Sequence, residues 1–78
     1  MPNSIYSDDV WGQGDVIQRS SEVSATLKYQ RKILGVCGEV YFLSNSFVGD
    51  IENAGFATLS LGLIKTKPEL TVDGWSKV

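Results

Sequence analysis

The sequence has no histidine and only one cysteine among its 78 residues. A chain with a single cysteine cannot form an internal disulfide, and it lacks the Cys and His ligands from which structural zinc sites are built. Histidine is also the commonest general base, so its absence disfavours acid–base catalysis. We therefore expect a protein that is not an enzyme and that carries no cofactor or metal.

Long apolar runs are missing as well. No stretch approaches the roughly 20 apolar residues of a membrane span, and residues 1–9 lack the basic and apolar regions of a secretory signal. Cys37 lies in an apolar stretch, which predicts a buried, inert thiol, and one such cysteine is typical of a reducing compartment. The sequence thus predicts a cytoplasmic protein, in its own cell or in an infected host cell, without a membrane partner.

The small size of the chain limits how it can be stabilised. A chain of this length forms one domain and buries only roughly 60% of its unfolded surface. Small domains are usually reinforced by disulfides, metals or association of copies. Since the sequence disfavours the first two, we expect a homo-oligomer.

Turn-forming residues dominate the N-terminal segment, where Gly12 and Gly14 indicate a turn. Tyr6 and Trp11 are embedded in it. This pattern predicts a loosely ordered arm over residues 1–15 that docks on its own domain or on a neighbouring subunit. Residues 16–78 are predicted to form a single β-rich domain.

The apolar pattern of this domain predicts strands. Strict alternation over 23–29 and 56–65 is typical of strands, and the second alternation places Leu59 and Leu61 in the core. A further apolar run over 33–43 contains Gly35 and Gly38, which favour a bulge or a close backbone approach over a helix. Residues 29–33 are interpreted as a hairpin turn.

Two further elements complete the predicted domain. Residues 70–72 are interpreted as a short final strand, and a short helix has room at 16–22 or 47–54. The predicted fold class is mainly β, a small antiparallel barrel or sandwich of about four to six strands with at most one short helix. The strand over 57–64 is predicted to be an edge strand, with only Lys65 and Lys67 to discourage pairing.

The aromatic residues outside the strong strands suggest how such a domain works. Trp11 and Trp75, with Tyr6, are either anchors of an interface or caps on the chain's own core. The leading hypothesis is a non-catalytic binding or assembly module that occupies or sequesters a partner. That partner is another protein, or a small ligand in a pocket between subunits. A viral or mobile-element protein that blocks a host factor fits this description.

Two alternative functions remain open from the sequence. Lys28, Tyr29, Arg31 and Lys32 form a basic, aromatic segment of the kind that binds single-stranded nucleic acid. However, a net charge of −2 and a pI near 4.8 disfavour a nucleic-acid partner. A metal-dependent hydrolase would use Asp50 and Glu52, but the residue spacing of a calcium loop is missing.

Overall fold

The computed structural model describes residues 10–53 and 59–78. The strands are β1 (Val16–Ser20), β2 (Lys28–Cys37), β3 (Val40–Ser44), β4 (Phe47–Val48), β5 (Leu61–Thr66) and β6 (Ser76–Lys77). Within these ranges the chain also forms one α-helix, α1 (Lys67–Val72), and a 3-10 turn (Ile51–Asn53). The prediction of a mainly β domain is confirmed, but the six antiparallel strands form one open sheet rather than a closed barrel.

Strand β2 is the centre of the sheet, whose order is β5-β3-β2-β1-β6. Its first half pairs with β1, from Val16 opposite Lys32, and its second half pairs with β3. Strand β4 pairs with β2 at residues 29 and 30. A β-bulge between Ile33 and Gly35 separates the two halves, in agreement with the bulge predicted at Gly35.

The predicted hairpin turn at 29–33 is wrong, because these residues lie inside β2. The chain turns instead at Gly38 and Glu39, between β2 and β3. Gly38 has a φ of 61°, a conformation that glycine adopts without the steric cost of a side chain. The basic segment over residues 28–32 is therefore part of strand β2 and not a hairpin tip.

The segment before β1 is attached to the sheet. Gly12 and Gly14 lie at the predicted turn, where Gly12 N–H donates to Asp15 Oδ2 at 2.8 Å. Gly14 N–H donates to the Ile33 carbonyl at 2.8 Å, and Ile33 N–H donates to the Asp15 carbonyl at 2.8 Å. Of the predicted arm, residues 1–9 lie outside the described residues, and residues 14 and 15 are held beside β2.

One apolar cluster forms the core. Four of its members are fully buried, one each on β1, β2, β3 and α1: Ile17, Ile33, Leu43 and Leu70. The other members are Trp11 before β1, Tyr41 on β3 and Trp75 after α1. Leu61 was predicted to belong here, but it is 56% exposed. Strand β5 starts only at Leu61, and residues 54–58 lie outside the described residues.

The predicted final strand at 70–72 is wrong, because these residues belong to α1. Thr66 is the N-cap, and a reciprocal capping box joins it to Glu69. Thr66 N–H donates to Glu69 Oε1 at 3.0 Å, and Glu69 N–H donates to Thr66 Oγ1 at 3.4 Å. Pro68 lies in the first turn, where its missing N–H costs nothing. These start signals outweigh the β-branched Thr71 and Val72.

The short helix expected at 16–22 or 47–54 is therefore elsewhere. Residues 16–20 form strand β1, and the described part of the second segment, residues 47–53, contains the two-residue β4 and the 3-10 turn.

The capping box predicts a depressed pKa for Glu69. The Thr66 backbone N–H and then the Thr66 hydroxyl donate to its carboxylate, which lowers the pKa of Glu69 from 4.5. A depressed carboxyl pKa stabilises the fold above the pKa of the unfolded chain, and this contribution is lost as pH falls through the folded-state value. Thr66→Val removes only the hydroxyl, so we expect the pKa of Glu69 to rise partway towards 4.5 in a carboxyl NMR titration.

Thr71→Val is the matched control for that titration. The Thr71 hydroxyl donates to the Lys67 carbonyl on the same helix, at 3.0 Å, and does not touch Glu69. This variant should leave the pKa of Glu69 unchanged. An equal shift in both variants would show that helix fraying, rather than the capping hydroxyl, controls the titration.

Candidate functional site

The two tryptophans predicted as interface anchors lie in the core. Trp11 and Trp75 are each 7% exposed. The Trp11 ring packs edge-to-face on Tyr41, with ring centroids 6.0 Å apart and an interplanar angle of 75°. Of the two interpretations of these residues, the structure agrees with caps on the chain's own core. Tyr6, the third predicted partner-binding residue, lies outside the described residues.

The predicted basic segment divides between two faces of β2. Alternate residues of a strand point to opposite faces, so Tyr29 and Arg31 lie on the face of Trp75, with the Arg31 guanidinium 5.7 Å from its ring centroid. Lys28 and Lys32 lie on the opposite face. The four side chains do not form one basic surface, and the geometry gives no support to a nucleic-acid groove at this position.

Both lysines of that segment have partners within the chain. Lys28 Nζ donates to Ser20 Oγ at 3.0 Å. Lys32 Nζ lies 3.7 Å from the Glu52 carboxylate, and its backbone N–H donates to Ser44 Oγ at 2.8 Å. These contacts hold the two side chains along the sheet.

The carboxylates considered for a hydrolase also have structural partners. Asp50 accepts from Glu52 N–H at 3.0 Å and from Asn53 Nδ2 at 2.9 Å, so it caps the 3-10 turn. Glu52 pairs with Lys32. Within residues 10–53 and 59–78, no group of three or more His, Cys, Asp or Glu side chains is placed to hold a metal.

Cys37 is exposed, so the prediction of a buried thiol is wrong. It is the last residue of β2, directly before the turn at Gly38. The apolar run that suggested burial ends at this exposed corner of the sheet.

Strand β5 is the most prominent candidate for an interaction surface. It is at one end of the strand order and pairs on one side with β3, from Leu61 opposite Ser44 to Thr66 opposite Val40. In the part of the chain that the structure describes, no strand pairs with its other side. The prediction of an edge strand is confirmed, and such an edge offers backbone N–H and C=O groups to another strand.

The side chains of β5 do little to protect this edge. Leu61 is 56% exposed and Ile64 is 50% exposed. The two lysines predicted to discourage pairing have partners within the chain. Lys65 Nζ lies 3.9 Å from the Glu69 carboxylate, and Lys67 Nζ lies 5.0 Å from the Trp11 ring centroid. The edge therefore combines exposed apolar side chains with charges that are already engaged.

No known family matches. A comparison with protein-family models gives no match, and comparisons with curated proteins and with solved structures give none either. Among the described residues, no helix has the length and the apolar character needed to cross a membrane. Any functional assignment must therefore come from the physical features of the chain itself.

Proposed function

We propose that this chain is a non-catalytic assembly module that forms a homodimer through strand β5. The observation that supports this proposal is the open β5 edge, where Leu61 and Ile64 are about half exposed and Lys65 is engaged by Glu69. Long apolar edges are usually protected by charges, bulges or a covering element. The β5 edge has one of these protections, an irregularity at Gly62 opposite Leu43 and Ser44. Its apolar side chains and its engaged lysine still suit a strand that is covered by another strand.

A second copy of the chain is the occupant that the geometry favours. Two identical strands that pair antiparallel are related by a two-fold axis, so one surface serves both copies. Strand β5 has six residues, and pairing would join the two six-stranded sheets into one. A 78-residue chain has a small core, so the area buried between two copies would add to the stability of each.

Such a module acts by occupancy. The joined sheet presents each remaining surface twice, which suits sequestration of a partner rather than catalysis. A partner protein, including a host factor blocked by a viral or mobile-element protein, remains part of this proposal. The exposed thiol of Cys37 suits a reducing compartment, so we keep the cytoplasm as the proposed location.

The test is the mass of the particle in solution. We expect native mass spectrometry and light scattering at micromolar concentration to give a dimer for the unmodified chain. Ile64→Lys places a new charge on the edge and should give a monomer. Because Ile64 is already 50% exposed, the variant should keep its thermal stability.

Val48→Lys is the matched control for this test. Val48 is 61% exposed and β-branched like Ile64, but it lies on β4. This variant should remain a dimer. A monomeric unmodified chain, or equal dissociation of both variants, would rule out pairing through β5.

A further inference from the structure

A cavity of about 320 Å³ lies between β1, β2 and the segment that precedes β6. We call it the arginine pocket; its lining includes Arg19, Ser21, Tyr29, Arg31, Ser46 and Trp75, together with Glu22 and Val23. Its volume is at the lower end of small-molecule sites, which begin near roughly 300 Å³. The pocket lies on β1 and β2, at a distance of two strands from the β5 edge, so it is separate from the proposed dimer interface.

Strand pairing brings two arginines to this pocket. Arg19 lies directly opposite Tyr29, and Arg31 lies two residues further along β2 on the same face. The guanidinium carbons of Arg19 and Arg31 lie 5.6 and 5.7 Å from the centroid of the Trp75 ring. The ring's negative face attracts both cations, but it does not neutralise them.

Neither guanidinium has an acidic partner. The three ion pairs of the described residues use Lys32, Lys65 and Lys77, and no described carboxylate lies within 4.0 Å of either arginine. Glu22 lines the same cavity without reaching that distance. Burial and then the neighbouring Arg19 charge lower the pKa of Arg31. The charged guanidinium is therefore less stable in the pocket than it would be in water. An anion in the pocket would relieve this repulsion.

Arg31 also retains hydrogen-bond donors. Its Nη1 donates to the Ser44 carbonyl at 2.8 Å, which fixes the orientation of the guanidinium. Its Nε is buried and has no hydrogen-bond partner among the described residues. A buried donor without an acceptor is costly, and it adds to the unfavourable environment of this guanidinium. Because the Nε is shielded from solvent, an anion in the pocket would act on Arg31 through its charge and its other guanidinium nitrogens. A guanidinium presents its donors as a planar fork that matches two oxygens of a carboxylate or phosphate.

We propose that the arginine pocket binds a phosphate group, either as the free ion or as a monoester. Two guanidiniums match the two negative charges of a phosphate at neutral pH. The hydroxyl groups of Tyr29, Ser21 and Ser46 supply further donors in the lining. Because Glu22 also lines the cavity, the preference for phosphate over a carboxylate rests on its larger number of acceptor oxygens, which two guanidiniums and three hydroxyl groups can contact.

The test is an NMR titration with inorganic phosphate at neutral pH and constant ionic strength. Saturable shifts of the Arg19 and Arg31 Nε–H signals at millimolar phosphate are expected. Arg19→Gln and Arg31→Gln should each weaken binding by about tenfold or more, since each removes a charge-assisted contact. Arg31→Lys keeps the charge but removes the fork, and it should also weaken binding while preserving the fold.

Lys28→Gln is the matched control, because Lys28 is on the same strand but on the opposite face. It changes the net charge equally and should leave phosphate affinity unchanged. Acetate should bind more weakly than phosphate, and phenyl phosphate should bind at least as well as the free ion if the site serves a monoester. Three outcomes would overturn the proposal: no saturable shift, an equal loss of affinity in Lys28→Gln, or acetate binding as tight as phosphate.

Discussion

Replacing Leu43 with alanine is expected to lower the free energy of unfolding by about 2–5 kcal/mol, the range for leucine truncation in a packed core. Leu43 is fully buried on β3 and lies opposite Ile33 on one neighbouring strand and Leu63 on the other. The truncation therefore leaves a cavity bordered by three strands. Because small domains have total stabilities of only about 5–15 kcal/mol, a large share of the stability would be lost.

Urea denaturation followed by tryptophan fluorescence measures this loss, and Leu27→Ala is the matched control. Leu27 is 43% exposed in the loop between β1 and β2, and its hydrogen bonds to Ser21 and Ser24 use only its backbone. We expect the control to change the stability by no more than about 0.5 kcal/mol. Similar losses in both variants would contradict the core described above.

Gly62→Ala is expected to be about as damaging, for a steric reason. A Cβ atom at this position would lie 2.6 Å from Asn45 Cα and 2.8 Å from Asn45 N. Both atoms belong to the backbone, so no side-chain rotation can relieve the contact, and β3 and β5 must separate locally. Overpacking of this kind costs about 1–3 kcal/mol and occasionally more, and we expect a value at the upper end or above it.

Gly35→Ala separates this contact from the general effect of replacing a strand glycine. A Cβ atom on Gly35 would meet only the Phe42 side chain, at an ordinary 3.8 Å. Thermal melting followed by circular dichroism should show a large loss for Gly62→Ala and little change for Gly35→Ala. Equal melting temperatures would mean that the two strands are further apart at Gly62 than described.

Much of the sheet could be predicted from local patterns. The alternation that ends at Lys65 predicted a strand, which the structure has as β5 (Leu61–Thr66). Gly35 favoured a bulge or a close backbone approach, and a bulge lies beside it in β2. The alternation over 23–29 was misleading, because most of it lies in a loop where Val23 is 87% exposed. A period of two describes a strand only if a neighbouring strand is present to pair with it, and that information is not local.

The errors at the C-terminal end have a different cause. Thr66 and Glu69 carry the Thr-x-x-Glu pattern of a capping box, followed closely by the stop signal of Gly74. The β-branched Thr71 and Val72 favour a strand, but the capping box outweighs them. Cap signals are specific about where a helix starts, whereas β-propensity depends strongly on context.

The arginine pocket could not have been found from the sequence. No local pattern relates Arg19 to Arg31, and only the register that pairs Arg19 with Tyr29 brings both to the same face. That register is set by the loop over residues 21–27, whose length does not reveal its conformation. The placement of Trp75 against both arginines depends on the same pairing and on β6.

The pairing of β6 with β1 also has a consequence for the order in which the fold is assembled. Strands β2 and β3 are joined by a turn of two residues, so their hairpin closes with little loss of chain entropy. Lys77, in contrast, pairs with Ile17, 60 positions away in the sequence (77 minus 17). Because distant pairings form slowly, we expect Trp75 to enter the core late. The pairing of β6 with β1, which brings Trp75 into place, is then expected to be among the last contacts to form.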